Sequence, residues 1–263
     1  MKSLKSSIIF LLIFLIVFLV LSYIFKNNSF LSSLLQNVAI SACLATIVSI
    51  KMINQVLIKN DEEKKIKYNK VALFTIKTPL KRVLDNLVSF YIYGTEKKEK
   101  NDNLESFFDE EYYSVVKNLK FYFKTNHINL STNEYMSIIE CFSFYVNNLN
   151  INLENMIFKY NIYLESDLLD TIEKIINSEL YSYFRNFKDF EKFEIARIEQ
   201  IGNKDSVLSY GEASKSFREY IELIIKLIQK FNSLNSENRI IISNNIWQMP
   251  GAAFIPGQAK ISK

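Results

Sequence analysis

The sequence predicts an all-α protein, an N-terminal transmembrane helical hairpin followed by a cytosolic helical bundle. Three observations lead there. Two apolar runs, residues 7–25 and 30–50, contain no charged residue and are separated only by Lys26-Asn27-Asn28-Ser29. Beyond residue 70, apolar residues recur at the three- and four-residue spacing of a core-facing helical stripe. Glycine and proline number only 5 and 3 in 263 residues, so few turns are obligatory and phosphate-cradling loops have almost no material.

Length fixes the hairpin. Crossing about 30 Å of hydrocarbon takes about 20 mostly apolar residues at 1.5 Å each. The first run meets this and is apolar on every side, as lipid contact requires. The second is interrupted by Ser32, Ser33, Gln36, Asn37, Ser41, Thr46 and Ser49 but reaches Lys51 without a charge. Ser41, Ala45 and Ser49 recur every four positions, a small-residue face that lets helix backbones approach closely. Two uses of that face are open: packing on the first helix of the same chain, or self-association of copies into a homo-oligomer. Tyr23-Ile24-Phe25-Lys26 offers no small-residue cleavage site, which argues against a cleaved signal peptide.

Lysines give the orientation. Lys2 and Lys5 precede the first span, and Lys51, Lys59, Lys64 and Lys65 follow the second, whereas the turn has Lys26 alone. Both termini are therefore expected in the cytoplasm, in a multi-pass protein of the cell membrane. The predicted organisation is a hairpin over 1–58, a charged stalk over 59–70, a helical domain over 71–247 and a tail over 248–263 that contains two of the three prolines.

The domain reads as successive helices. The first covers 71–93, with Leu73, Ile76, Leu80, Leu84, Leu87 and Tyr91 inside and a break near Thr78 caused by Pro79. The next is expected over 104–124. A turn over 125–130 holds His127, and Ser131-Thr132-Asn133-Glu134 reads as a capping box opening a helix through Ile138, Phe142 and Val146 toward Tyr160. Ser166 is the expected cap of a helix running to Phe184. A charged, aromatic stretch, 185–200, precedes a second capping box, Ser209-Tyr210-Gly211-Glu212. This opens the clearest amphipathic helix, with Phe217, Tyr220, Ile224, Leu227, Ile228 and Phe231 inside. A shorter segment, 239–247, closes the domain.

Composition narrows the chemistry. A net charge of +4, with lysines gathered beside the predicted membrane, is low for a nucleic-acid binder, so no nucleic-acid partner is expected. Cys43 and Cys141 lie in different modules and read as free thiols of a reducing compartment. His127 is the only histidine, which excludes histidine dyads, the usual histidine zinc sites and the paired Glu-x-x-His motifs of di-iron bundles. In a turn, it reads as a solvated imidazole. Asp109, Glu110, Glu111, Glu165, Asp167, Asp170 and Glu173 read as solvated helix surface rather than cation ligands. No nucleotide-binding or nucleophile-elbow motif is present. No catalytic residue, cofactor or metal follows, and the chain is read as a non-enzyme.

The plan of a tight hairpin, the charged segment Ile58-Lys59-Asn60-Asp61-Glu62-Glu63-Lys64-Lys65 and a helical region containing Asn155-Met156-Ile157-Phe158-Lys159-Tyr160 and Ser166-Asp167-Leu168-Leu169 resembles uncharacterised prokaryotic two-span membrane proteins. The resemblance is one of architecture; the absence of every catalytic signature beside a large, aromatic-rich bundle points to a domain, tethered to the lipid bilayer, that senses a signal or docks a cytosolic protein partner. Some such hairpins act as membrane-damaging effectors in defence systems, so the resemblance also admits a lesion assembled through Ser41, Ala45 and Ser49.

Overall fold

The computed structural model describes residues 2–95, 100, 103–201, 205–209 and 211–242. The chain divides into two compact units, Met1–Lys64 and Lys65–Lys263. Residues 243–247 of the last expected segment and the tail 248–263 lie outside the described residues, as do 96–99 and 101–102, between the first two helices expected in the domain, and Tyr210 of the second capping box.

Two helices make the first unit. Helix α1 spans Lys2–Ile24, and α2 spans Ser29–Thr75 without interruption. At 1.5 Å per residue α2 is about 70 Å long. Asn28 starts it: its side chain accepts from the Leu31 amide at 3.2 Å and its carbonyl from the Ser32 amide at 2.9 Å. Among the described residues, α2 is the one helix long and apolar enough to cross a membrane.

The second unit is a helical bundle with one small hairpin. Its helices are the end of α2, then α3 (Lys77–Gly94), α4 (Leu104–Phe107), α5 (Glu110–Lys117), α6 (Ile138–Tyr160), α7 (Ser166–Ile176), α8 (Glu179–Arg185), α9 (Phe187–Ile201) and α10 (Gly211–Leu234). Helix α6 is central, packing on α3, α7, α8 and α9, while α10 closes against α3, α7 and α8. Phe90 is an aromatic hub, with ring centroids 5.0 Å from Phe121, 4.9 Å from Phe142 and 6.4 Å from Phe217. Buried polar groups are mostly paired within this core: Tyr112 donates to the Leu87 carbonyl at 2.9 Å and Ser143 to the Phe184 carbonyl at 2.6 Å. Such pairing avoids the cost of an orphaned polar group.

Four local expectations are corrected. The break before α3 falls at Ile76 rather than Thr78, which puts Pro79 in the first turn of α3, where an amide would have had no helical acceptor. The helix expected over 104–124 is two short helices, because the Asn103 and Asp109 side chains each cap one, accepting from the Glu105 and Tyr112 amides. The helix expected from Ser166 to Phe184 has Glu165 rather than Ser166 at its N-cap, with no side-chain cap bond, and it divides at Asn177, where Ser178 caps α8 by accepting from the Tyr181 amide.

The fourth concerns residues 124–137, which form an antiparallel hairpin, β1 (Lys124–Asn129) and β2 (Glu134–Ser137). Lys124 pairs with Ser137, Ile128 with Tyr135 and Asn129 with Glu134, with an irregularity between Lys124 and Ile128. Asn133 takes the turn position at φ 57°, a left-handed conformation asparagine tolerates better than most residues. Ser131 therefore does not cap a helix. The cap is Ser137, whose side chain accepts from the Glu140 amide at 3.2 Å.

Candidate functional site

The first unit leaves a large apolar surface uncovered. On α1, Phe10, Ile13, Ile16 and Val20 are 52–68% exposed, and on α2, Ile40, Leu44 and Ile47 are 57–59% exposed. Soluble monomers rarely expose contiguous apolar patches beyond a few hundred Å². The cause is compositional: neither run has a polar face to turn outward, so pairing the two helices covers only one strip of each.

That strip on α2 is Leu35, Ala39 and Thr46, all buried, with Ala42 half-buried between them. Thr46 satisfies its hydroxyl inside its own helix, donating to the Ala42 carbonyl at 2.7 Å. Near the turn, Ser22 and Ser32 bridge the helices: each hydroxyl lies within reach of the other's backbone carbonyl, at 3.1 and 3.3 Å, and the hydroxyls are 3.1 Å apart. Ser41, Ala45 and Ser49 lie elsewhere. All three are exposed. At 100° per residue their stripe is centred about 90° around the helix from the buried strip. Packing within the chain thus uses the neighbouring small residues, not these. A groove of about 610 Å³ runs beside the stripe, between Phe14 of α1 and Phe30, Asn37, Ser41 and Ala45 of α2.

The flanking cations Lys51, Lys59, Lys64 and Lys65 are exposed, and the side chains of Lys2 and Lys5 lie outside those described. Further along α2, Asn69 is fully buried in the second unit. Its amide donates to the Tyr163 carbonyl at 2.9 Å and the Lys65 carbonyl at 2.8 Å, and its oxygen accepts from the Glu165 amide at 3.2 Å. Tyr68 stacks on Tyr163, with centroids 4.1 Å apart. These contacts fasten the last turns of α2 to the bend between α6 and α7.

The groups weighed for chemistry are placed as follows. His127 is in strand β1, half-buried, and burial lowers its pKa; the solvated turn expected for it is corrected by the hairpin. Cys141 is buried, with Thr125 Oγ1 at 3.3 Å, and burial pushes its thiol up to about 11. A thiol so raised stays protonated and unreactive near neutrality. Asp109 caps α5 and pairs with Lys100, and Glu165 pairs with Lys230. A cleft of about 690 Å³ between α7 and α10 carries Asp170, Glu173, Glu179, Glu219 and Glu222. Lys174 lies 2.8 Å from Asp170, and Ser216 donates to Glu179 at 3.0 Å. Among the described residues no three His, Cys, Asp or Glu side chains are grouped to hold a metal ion.

The group that reasoning from sequence passed over is Glu194, on α9. It is 1% exposed, and among the described residues neither carboxyl oxygen has a partner in good hydrogen-bond geometry, although the amides of Val207, Phe121 and Tyr122 and the Ser206 hydroxyl lie around it. Residues 185–200 read in sequence only as charged and aromatic, and nothing in that pattern marks which acid tertiary packing encloses.

Comparison with known proteins returned no matching family model, no similar curated protein and no similar solved structure.

Proposed function

We propose that this chain is an integral membrane protein whose α1 and α2 cross the cell membrane as a hairpin, tethering a helical interaction or sensing domain in the cytoplasm. The observation that carries the reading is the uncovered apolar surface on both helices, over stretches that contain no charge. A bilayer is the solvent that such a surface matches. The lysine distribution supports an orientation with both termini in the cytoplasm. The reading assigns the domain no reaction, and its partner is a cytosolic protein met through the bundle. Two arms test it. A fluorescent protein fused to the C-terminus is expected to glow and a secreted-type phosphatase at the same position to stay inactive; the reverse result overturns the topology. Co-purification from detergent is expected to recover a specific protein, and recovery of none under any growth condition overturns the interaction role.

One observation favours a second reading, in which the hairpins assemble into a membrane lesion. Ser41, Ala45 and Ser49 lie off the seam with α1, leaving a face on which close helix contact costs little. Induced expression is then expected to depolarise cells, and Ser41→Leu, Ala45→Leu and Ser49→Leu together to abolish the effect. Unchanged membrane potential on expression overturns it.

A further inference from the structure

Glu194 sits where three segments of the bundle meet. Around its carboxyl group lie the amides of Val207, Phe121 and Tyr122 and the Ser206 hydroxyl. Each segment is anchored elsewhere. The Phe121 and Phe123 carbonyls accept from the Ile139 and Ile138 amides at the start of α6, at 3.0 and 2.9 Å. The Ser206 amide donates to the Lys117 carbonyl at the end of α5, at 2.7 Å. The acid is thus the polar centre of a closure between α9, the segment 118–123 and the segment 205–209.

Cations occur in the neighbourhood but are engaged elsewhere. Lys117 pairs with Asp205 at 3.3 Å, Arg197 donates to the Asp205 carbonyl at 3.3 Å, and Lys120 lies over the Phe123 ring at 5.5 Å. On α9 itself, Glu191 faces Lys124, Lys188 and Glu140, and Tyr122 is the titratable group that feels Glu194, together with Glu199. Among the described residues no cation faces the carboxyl group, and at 1% exposure it is shielded from bulk solvent, so ionising it is costly.

We propose that Glu194 is a proton-controlled latch, closed while the carboxyl group is neutral and released when its proton leaves to solvent. Burial outweighs the surrounding amides and raises the group from 4.5 to about 7. Because the closed form holds the proton more tightly, the closure is firmest below pH 4.5, weakens as pH rises from there to about 7, and stays at its weakest above. The latch operates across the neutral range in which a cytoplasm varies, and it stands whether or not the hairpin crosses a bilayer.

Hydrogen exchange of the full chain in detergent, corrected for intrinsic chemical rates, tests it. Between pH 5 and pH 8 the opening constant of segments 118–123, 190–198 and 205–209 is expected to rise about 70-fold. The middle of α10 is expected not to follow. Glu194→Gln keeps the shape and removes the titration, so its three segments are expected to change less than about threefold over the same range. Should that variant fail to accumulate, Glu194→Asp, which draws the carboxyl away from the amides, is expected to move the midpoint of the transition. Equal protection at pH 5 and pH 8 in the native chain, an undiminished pH response in Glu194→Gln, or an unmoved midpoint in Glu194→Asp overturns the latch.

Discussion

Helices α2 and α10 draw on the same aliphatic residues and dispose of them in opposite ways. In α10, Ile224, Leu227 and Ile228 are fully buried, while Ile40, Leu44 and Ile47 of α2 stay more than half exposed. The difference lies in what accompanies them. Helix α10 interleaves its stripe with Lys215, Arg218, Glu222, Lys226 and Lys230, so water dictates which face turns inward. The apolar run of α2 has no such counterweight, and its partner α1 has none either. Burial of an apolar side chain is worth about 1.5–3 kcal/mol, so the bundle is stabilised by its own interior, whereas the half-exposed side chains of α1 and α2 gain only part of that from the chain itself.

Substitutions that attack each region in its own terms sharpen this contrast. The largest effect is expected at the aromatic hub: Phe90→Ala should cost about 3–5 kcal/mol of bundle stability, read as a lowered denaturation midpoint of the full chain in detergent. A cost below about 1 kcal/mol would mean that the bundle core is not the organised interior described. Next is Leu44→Arg, which places a charge in the uncovered surface. It is expected to disfavour insertion by about 3 kcal/mol and to shift part of the chain out of the membrane fraction, leaving the bundle's melting unaltered. Indifference to this change would put α2 in water and erase the contrast.

Asn69→Ala probes the stretch of α2 that belongs to the bundle. Removing its amide leaves the Tyr163 carbonyl and the Glu165 amide without their partner, at about 1–3 kcal/mol. The loss should appear as faster hydrogen exchange at the bend between α6 and α7. The smallest effect is expected at Ser22→Ala, which removes one half of the bridge to Ser32. Polar contacts between membrane helices are worth about 0.6 kcal/mol each, so a double-mutant cycle with Ser32→Ala should return a coupling of that order.

The sequence made the long helices legible, because α6, α7 and α10 carry apolar residues at unbroken helical spacing. It was less informative where a single side chain decides an end. Asp109 and Ser178 interrupt what periodicity reads as continuous helices, since a cap overrides the stripe running through it. The β hairpin escaped notice because Lys124-Thr125-Asn126-His127-Ile128-Asn129 has no clean two-residue alternation, and because Ser131 and Glu134 imitate a capping box. The small-residue face at Ser41, Ala45 and Ser49 was visible as a pattern, but its position about 90° from the seam with α1 depends on how the two helices meet. Glu194 was out of reach, because its enclosure depends on Phe121 and Tyr122, remote from it in sequence, and on Val207, beyond the end of its own helix.

Cys43 offers the most direct test of the hairpin, since it is exposed on α2 while Cys141, the other cysteine, is buried. Native membranes containing the full chain are treated from both sides with a membrane-impermeant maleimide, before and after denaturation in detergent. A bilayer around the hairpin predicts no labelling of Cys43 until the membrane is dissolved and the chain denatured. Ready labelling of Cys43 in intact membranes, with the bundle still folded, would contradict it.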